Sequence, residues 1–522
     1  MMTADVLLQA FAIVFEPQTL LVIVLSAIYG LFVGAVPGLT ATMATALLVP
    51  LTFYMDPVPA IAAIVTTTAM AITAGDIPGV LLRIPGTPAS AAYVEEAYAM
   101  TLKGKADQAM GICLTFAAFG GLFGATVLLL TGPLLAKVAL KFSSFEFFWL
   151  AVLGLMTSAL VSAREPSRGF VSLLIGLLIS TVGLDVTSGQ PRFTFDSYEV
   201  AGGISFIPMM IGMFALAEVL RGFSKAGVVP PAPKASITHP FKGVWAAAKK
   251  FPFSPFRGAT LGAAIGALPG VGGDIAAWIA YGMSRKLSKT PEKFGTGHEE
   301  GLIEAGSSNN SGLSSAWIPA LVFGIPGDAV TAIAIGVLFM KGLNPGPRLF
   351  VENPSMLTAV IVTFFVANLL LLPIGYVAVR GARYVLSVPR SIIVPVILIF
   401  CLVGSFAINN TVFDIGVMLV AGLVAYVLEA NRFPIAPIIL GLVLGPILER
   451  NFIMSMQIAD GNLLAFFDRP IAAVLGVAIC LLAVWPLLRL IVRTIRGGNR
   501  RGSSSGDSME KLQETSRENG QA

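Results

Sequence analysis

Four charged side chains lie inside stretches that are otherwise apolar: Asp76, Arg83, Asp274 and Asp328. Even on the lenient insertion scale a charge at the bilayer centre costs about 2.5–3.5 kcal/mol, so each of these needs a partner or a task. A guanidinium can fork onto a carboxylate with two parallel hydrogen bonds, and a carboxylate can hold a cation or a proton. On continuous helix the i, i+7 spacing of Asp76 and Arg83 puts them on one face, about two turns apart. Two readings follow. Either these two form a structural ion pair, or Arg83 serves an anion while Asp76, Asp274 with Gly273, and Asp328 serve its coupling cation.

Each charge sits in or beside a backbone break. Gly266-Ala-Leu-Pro-Gly-Val-Gly-Gly-Asp274 repeats the opening of Gly34-Ala-Val-Pro-Gly-Leu-Thr-Ala-Thr42, and Phe323-Gly-Ile-Pro-Gly-Asp-Ala-Val-Thr331 echoes Leu82-Arg-Ile-Pro-Gly-Thr-Pro-Ala-Ser90. Pro and Gly inside long apolar runs mean non-helical backbone at membrane depth, which is tolerated where it is buried in protein or lines a cavity. Half-helix N-termini carry unpaired N–H groups and partial positive charge for an anion, and freed carbonyls suit Na⁺ or a proton-linked partner. The candidate substrate contacts are therefore Pro37, Gly38, Thr40, Thr42, Arg83, Pro85, Gly86, Thr87 and Ser90 in the first half. In the second half they are Pro269, Gly270, Gly272, Ser308, Asn309, Asn310, Pro326, Gly327 and Thr331. Ser307 adds a further hydroxyl. Small residues of this kind also let membrane helices approach closely, which is the competing reading for any one of them.

The elements that carry these motifs are membrane spans. Of 522 residues, 56% are hydrophobic and 12% charged, about half the charge of an ordinary soluble protein. With their flanks, several apolar runs reach the roughly 20 residues that cross a bilayer as helix. The fold class is all-α: a polytopic transmembrane bundle of two inverted repeats with broken or re-entrant helices. Residues 1–16 form an N-terminal segment without the basic start of a signal peptide, 17–221 the first repeat, 222–256 a linker, 257–490 the second repeat, and 491–522 a basic and then disordered tail.

Lys and Arg accumulate in cytoplasmic loops, so the net charge of +5 reads as orientation and not as nucleic-acid binding. Arg221 to Arg257 is basic with no acidic residue, and Arg489, Arg493, Arg496, Arg500 and Arg501 share its sign; both regions, and with them the C-terminus, belong in the cytoplasm. Lys137 and Lys141 object to this count. Gly258 to Met283 starts at Arg257 and ends at the basic Arg285 to Lys293, which makes it a re-entrant hairpin. Its first-half counterpart ends at Tyr54 to Pro59, without a basic residue, as an inverted copy predicts.

Other chemistry is poorly served. Cys113, Cys401 and Cys480 lie far apart in apolar runs and read as packing residues. His298 ahead of Glu299, Glu300 and Glu304 has only His239 as a second histidine, a weak metal signal. With no phosphate loop, nucleophile elbow or paired acid and base, the chain does not read as an enzyme. No cofactor and no bound metal is expected, apart from Na⁺ as a transported ion.

In order along the chain, Gly34-Ala-Val-Pro-Gly38, Ile84-Pro-Gly86, Pro269-Gly-Val-Gly272, Phe294-Gly-Thr-Gly297 with Glu300-Gly301, Asn309-Asn310, Gly324-Ile-Pro-Gly327 and Gly342-Leu-Asn-Pro-Gly-Pro347 resemble the large TctA-type membrane subunit of tripartite tricarboxylate transporters. The resemblance runs from about Phe15 to Arg489. It implies a multi-pass protein of the bacterial inner membrane that takes up small organic carboxylates by symport with Na⁺ or H⁺. It also implies two partners, a periplasmic TctC-type binding protein and a small TctB-type membrane subunit. The family usually carries a small or hydroxyl-bearing residue at Asp76, Asn at Arg83, Glu at Gly306 and often Ser at Asp328. These departures point away from citrate itself. An uncoupled channel or scaffold, and a stand-alone carboxylate symporter, are the alternatives.

Overall fold

A computed structural model describes residues 3–161, 166–185, 188–224, 237–386 and 390–483. The whole of the basic tail, residues 491–522, and part of the linker lie outside them. The chain forms two compact units, Met1–Met454 and Ser455–Ala522. Among the described residues all regular structure is helical except one two-stranded antiparallel ribbon, Gly183–Leu184 with Pro191–Arg192. Among the described residues seven helices are long and apolar enough to cross a membrane.

The first unit starts with α1 (Ala4–Val14), capped by the Thr3 hydroxyl, and α2 (Pro17–Ala35), whose Pro17 takes the first-turn position where no N–H is needed. Val36-Pro37-Gly38 ends α2, with Gly38 at φ 95°. The Thr40 hydroxyl then starts α3 (Ala41–Thr52) by accepting the Met43 N–H at 3.1 Å. After a short loop, α4 (Pro57–Ala74) lies against both. Gly30 meets Thr67 and Gly34 meets Ala71, so closely that a Cβ at Gly34 would stand 2.2 Å from the Ala71 carbonyl oxygen. Contacts that advance together along both helices make α2 and α4 parallel, and α3 runs back between them, its Thr45 hydroxyl 3.1 Å from that of Thr68.

The second half repeats this plan with different side chains. Helix α14 (Ser254–Gly266) is parallel to α16 (Glu299–Ser315), with Gly258 on Glu304, Gly262 on Ser308 and Gly266 on Gly312. Between them α15 (Gly272–Leu287) runs back, placing Gly273 against Asn309 and Tyr281 against Gly301. The two ends of this hairpin meet at one carboxylate: Glu300 accepts from Arg257 at 3.3 Å and from the Ser288 hydroxyl at 2.6 Å. The segment therefore folds back on itself as a hairpin.

The second pair of breaks also matches, bond for bond. Helix α4 steps at Gly75 into α5 (Asp76–Leu82), and α16 steps at Ala316 into α17 (Trp317–Phe323). Each short helix ends in the left-handed region, at Arg83 (φ 59°) and Gly324 (φ 69°). The Ile84 N–H then returns to the Pro78 carbonyl, as that of Ile325 does to Pro319. Thr87 and Ser90 cap one another reciprocally, and so do Asp328 and Thr331. The following helices, α6 (Val94–Leu102) and α18 (Ala329–Met340), end at Lys103-Gly104 and Lys341-Gly342, with glycine φ of 73° and 72°. Each tip reaches the other half. Lys103 donates to the Thr296 carbonyl in the α15–α16 loop, and Lys341 to the Phe53 carbonyl in the α3–α4 loop.

The remaining helices wrap these hairpins. The 34-residue α7 (Ala106–Ala139) brings Gly120 onto Ser307 and Gly124 onto Ser311 of α16. Lys137 is in its last turn, and Lys141 follows just past its C-cap, Leu140. Helices α8 (Ser144–Val161) and α9 (Pro166–Ser180) form an adjoining pair. After the ribbon come α10 (Tyr198–Ala201) and α11 (Phe206–Met210), a π-helical turn at Ile211–Leu216, and α12 (Ala217–Ser224). The described end of the linker folds onto α7: Asp107 accepts the N–H groups of Thr238 and His239, and α13 (Val244–Lys250) follows.

Beyond α18 the chain continues through α19 (Leu349–Glu352) to α20 (Pro354–Arg380), which packs on α7 and α4. Then follow α21 (Ala382–Leu386), α22 (Arg390–Asn409), α23 (Val412–Ala430) and α24 (Ala436–Ile458). The described part of the second unit holds the end of α24, a 3-10 turn at Leu463–Phe467 and an apolar helix, Pro470–Ala483. Cys113 and Cys401 are buried as expected of packing residues, whereas Cys480 is exposed.

Candidate functional site

The breaks meet at a cavity of about 290 Å³. The first break contributes Thr40 and Thr42 on the opening of α3, and the re-entrant loop after α5 contributes Thr87. From the second half come Gly273 and Asp274 on the first turn of α15, Asn309 on α16, and Asp328 at the start of α18. Three helix N-termini, those of α3, α15 and α18, thus converge on one space. The unpaired N–H groups and macrodipoles of such ends favour negative charge, both that of their own first-turn carboxylates and that of a guest.

The two halves are stitched together at its wall. Asp274 is exposed to the cavity, and it accepts the Ala89 N–H at 3.2 Å. One turn along α15, the Trp278 indole donates to the Pro88 carbonyl at 3.0 Å. Asn309, 2% exposed, donates to the Tyr93 hydroxyl at 3.3 Å, which leaves its Oδ1 without a partner. A buried acceptor left open beside a cavity is a place for a donor or cation to arrive.

Sequence reasoning missed the far wall. Met213 and Phe214 come from the π-helical turn, and Glu218, Arg221 and Glu429 from α12 and α23. Arg221 pairs with Glu218 at 3.0 Å and with Glu429, and it is the cationic side chain that lines this cavity among the described residues. The signal available was Glu218 three residues before Arg221 at the end of an apolar run. As a loop charge Arg221 was read for orientation alone.

Other predicted residues lie around the cavity in supporting positions. Pro37 and Gly38 line a neighbouring cavity of about 240 Å³, which shares Glu218. Ser90 and Thr331 are occupied by their capping bonds. Gly86 is pressed on Gly75, its N–H 3.1 Å from the Gly75 carbonyl, while Pro85 is exposed. The Pro269 carbonyl accepts from the Thr157 hydroxyl, Gly270 (φ 78°) donates to the Pro326 carbonyl, Gly272 (φ 69°) opens α15, and Gly327 packs on Ala316. Ser307 and Ser308 are buried with unpartnered hydroxyls, and Asn310 donates to Thr73 at 3.1 Å; none of the three lines the cavity.

Arg83 is a correction. The helix ends at Leu82, so Arg83 swings out to solvent and forks onto Glu95 at 3.0 and 3.1 Å; it does not pair with Asp76 and does not line the cavity. That carboxylate holds its guanidinium above its ordinary pKa. Asp76 is instead buried against the Tyr93 hydroxyl, 2.8 Å away. The glutamates near His298 are likewise spoken for, Glu299 by Lys250 and Gln108, and Glu300 and Glu304 by Arg257.

Comparison with known sequences agrees with the membrane architecture. A family model described as "Tripartite tricarboxylate transporter TctA family" matches residues 20–440. The chain is 33% identical over 466 residues to an "Uncharacterized 52.8 kDa protein in TAR-I ttuC' 3'region" of Agrobacterium vitis, covering 88% of this chain and 92% of the relative. It is 35% identical over 231 residues to an "Uncharacterized protein in TAR-II ttuC' 3'region" of the same organism, covering 44% of this chain and 96% of that relative. No solved structure matches the chain.

Proposed function

Because the chain belongs to the tripartite tricarboxylate transporter TctA family, we propose that it is the large transmembrane subunit of a binding-protein-dependent secondary transporter that imports small organic carboxylates by ion symport. The observation that carries this reading is the cavity where the N-termini of α3, α15 and α18 converge, walled by residues of both halves. In the proposal a substrate carboxylate takes hydrogen bonds from first-turn N–H groups and from the hydroxyls of Thr40, Thr42 and Thr87. Arg221, held between Glu218 and Glu429, turns one of its pairs toward the anion.

The lining carries four carboxylates, Asp274, Asp328, Glu218 and Glu429, against one guanidinium. An anion enters such a space with a cation or proton, which supports symport over an uncoupled pore. The two halves act as inverted copies that exchange access between the membrane faces. What supports this is the matched hairpins and caps and the reciprocal tip contacts, Lys103 on Thr296 and Lys341 on Phe53. A TctC-type binding protein delivers substrate from the periplasm and a TctB-type small subunit completes the complex in the bacterial inner membrane, with the basic linker and tail in the cytoplasm.

The test is uptake into proteoliposomes holding both membrane subunits, with the cognate binding protein outside. Accumulation against a gradient, abolished when the ion gradients are collapsed, supports the proposal. Equilibration that ignores those gradients would sink the symport reading, and uptake that persists without a binding protein would sink the dependence on it.

A further inference from the structure

Asp76 is the first residue of α5, immediately after the step at Gly75, and it is 3% exposed. Among the described residues its neighbours offer no positive charge. The Tyr93 hydroxyl donates to Oδ1 at 2.8 Å and the Cys113 thiol faces it. The charged groups on the surrounding helices are turned elsewhere. On α6, Glu95 pairs with Arg83 and Glu96 is enclosed by the backbone of residues 295–298. On α7, Asp107 caps the linker, and on α16 Glu300 and Glu304 pair with Arg257. Tyr93 and Cys113 are thus the other titratable groups facing it. An ionised carboxylate enclosed in this way, without a cation, costs several kcal/mol.

The Asp76 carboxyl sits next to residues of the proposed site. The carbonyl of Gly75, one residue before Asp76, accepts the Gly86 N–H at 3.1 Å, and Gly86 directly precedes the cavity residue Thr87. Gly75 and Gly86 touch so closely that a Cβ on Gly86 would stand 2.5 Å from the Gly75 Cα. On the other side, the Tyr93 hydroxyl that holds Asp76 also accepts the amide of Asn309, which lines the cavity. Charging Asp76 therefore disturbs the re-entrant loop through Gly75 and the α16 wall through Tyr93.

We propose that Asp76 binds and releases the coupling proton: the neutral acid in this conformation gives its proton to water on the cytoplasmic side once substrate has crossed. The proposal rests on the transport reading above. Its test uses the same proteoliposomes without Na⁺, with an imposed pH gradient, acidic outside, and a lumenal pH dye. Wild-type protein is expected to accumulate substrate and acidify the lumen. Asp76→Asn should lose both while still exchanging labelled for unlabelled substrate across the membrane, and Asp76→Glu should recover part of the acidification. Proton-driven accumulation by Asp76→Asn, a wild-type requirement for Na⁺, or loss of exchange along with accumulation would each overturn the assignment. Wild-type exchange in the same vesicles separates its failure from failure of the transport reading.

Discussion

Asn309 donates its side-chain N–H to the Tyr93 hydroxyl at 3.3 Å, so one residue of the second half both lines the cavity and holds a tyrosine of the first. Asn310, its neighbour on α16, points instead to Thr73 and away from the cavity. Asn309→Ala should therefore lower the initial uptake rate far more than Asn310→Ala, although each loses one buried hydrogen bond worth about 1 kcal/mol. Equal rates for the two variants would argue against this cavity as the substrate site.

Glycine contacts set the spacing of the parallel helices. A Cβ at Gly34 would meet the Ala71 carbonyl oxygen at 2.2 Å, and one at Gly266 the Gly312 carbonyl oxygen at 2.3 Å. Both neighbours are backbone and cannot swing aside. Gly34→Ala and Gly266→Ala should each destabilise the fold by about 1–3 kcal/mol, the usual cost of overpacking. Thermal unfolding in detergent would show lowered midpoints for both, with Gly416→Ala, on helical backbone with open surroundings, as the control.

Glu96 is fully buried and accepts the N–H groups of Gly297 and His298 at 2.7 and 2.6 Å, that of Gly295, and the Tyr281 hydroxyl at 2.8 Å. One carboxylate of the first half thereby orders the glycine-rich loop of the second. Glu96→Ala leaves several buried donors without acceptors, at about 1–3 kcal/mol each. Hydrogen exchange at Gly295, Gly297 and His298 should rise, together with a lower unfolding midpoint.

Arg83→Ala should leave uptake and thermal stability at wild-type levels, because the Arg83–Glu95 pair is exposed and solvent-screened. A clear loss of uptake would return Arg83 to the substrate path.

Burial between the Phe251 and Phe294 rings holds the His298 imidazole below its ordinary pKa, and its Nε2 lies 3.0 Å from the Thr290 hydroxyl. Its folded value is depressed, so the unfolded chain binds the proton first. The stability it contributes is complete above the unfolded value of about 6.5 and is lost as pH falls through the lower folded value. Melting curves from pH 7.5 downward should show that decline, and His298→Gln should flatten it.

Much of the architecture was legible because its signals act over a few residues. Pro37-Gly38 and Pro269-Gly270 follow the ends of α2 and α14, Thr40 and Asp328 cap the turns that open α3 and α18, and the two copies carry their breaks in the same order. The fold-back of α14 and α15 could be read from the break at Pro269-Gly270, and Arg257 and Ser288 meet at Glu300 where the hairpin closes. Arg83 was misread for a local reason: the i, i+7 argument assumes continuous helix, and the left-handed residue at the end of α5 turns the side chain out.

By itself the sequence determined the membrane class, the family, the duplicated breaks and the residue types that face a guest, since these depend on local backbone preference and on the cost of charge in hydrocarbon. Only the tertiary structure decided which of those residues share a cavity. It brought Glu218, Arg221 and Glu429 to the wall, sent Arg83 to solvent, and enclosed Asp76 beside Tyr93. The reason is physical: pairing across helices depends on how the glycine contacts let them approach and cross, and that geometry is a property of the packed bundle and not of any one segment.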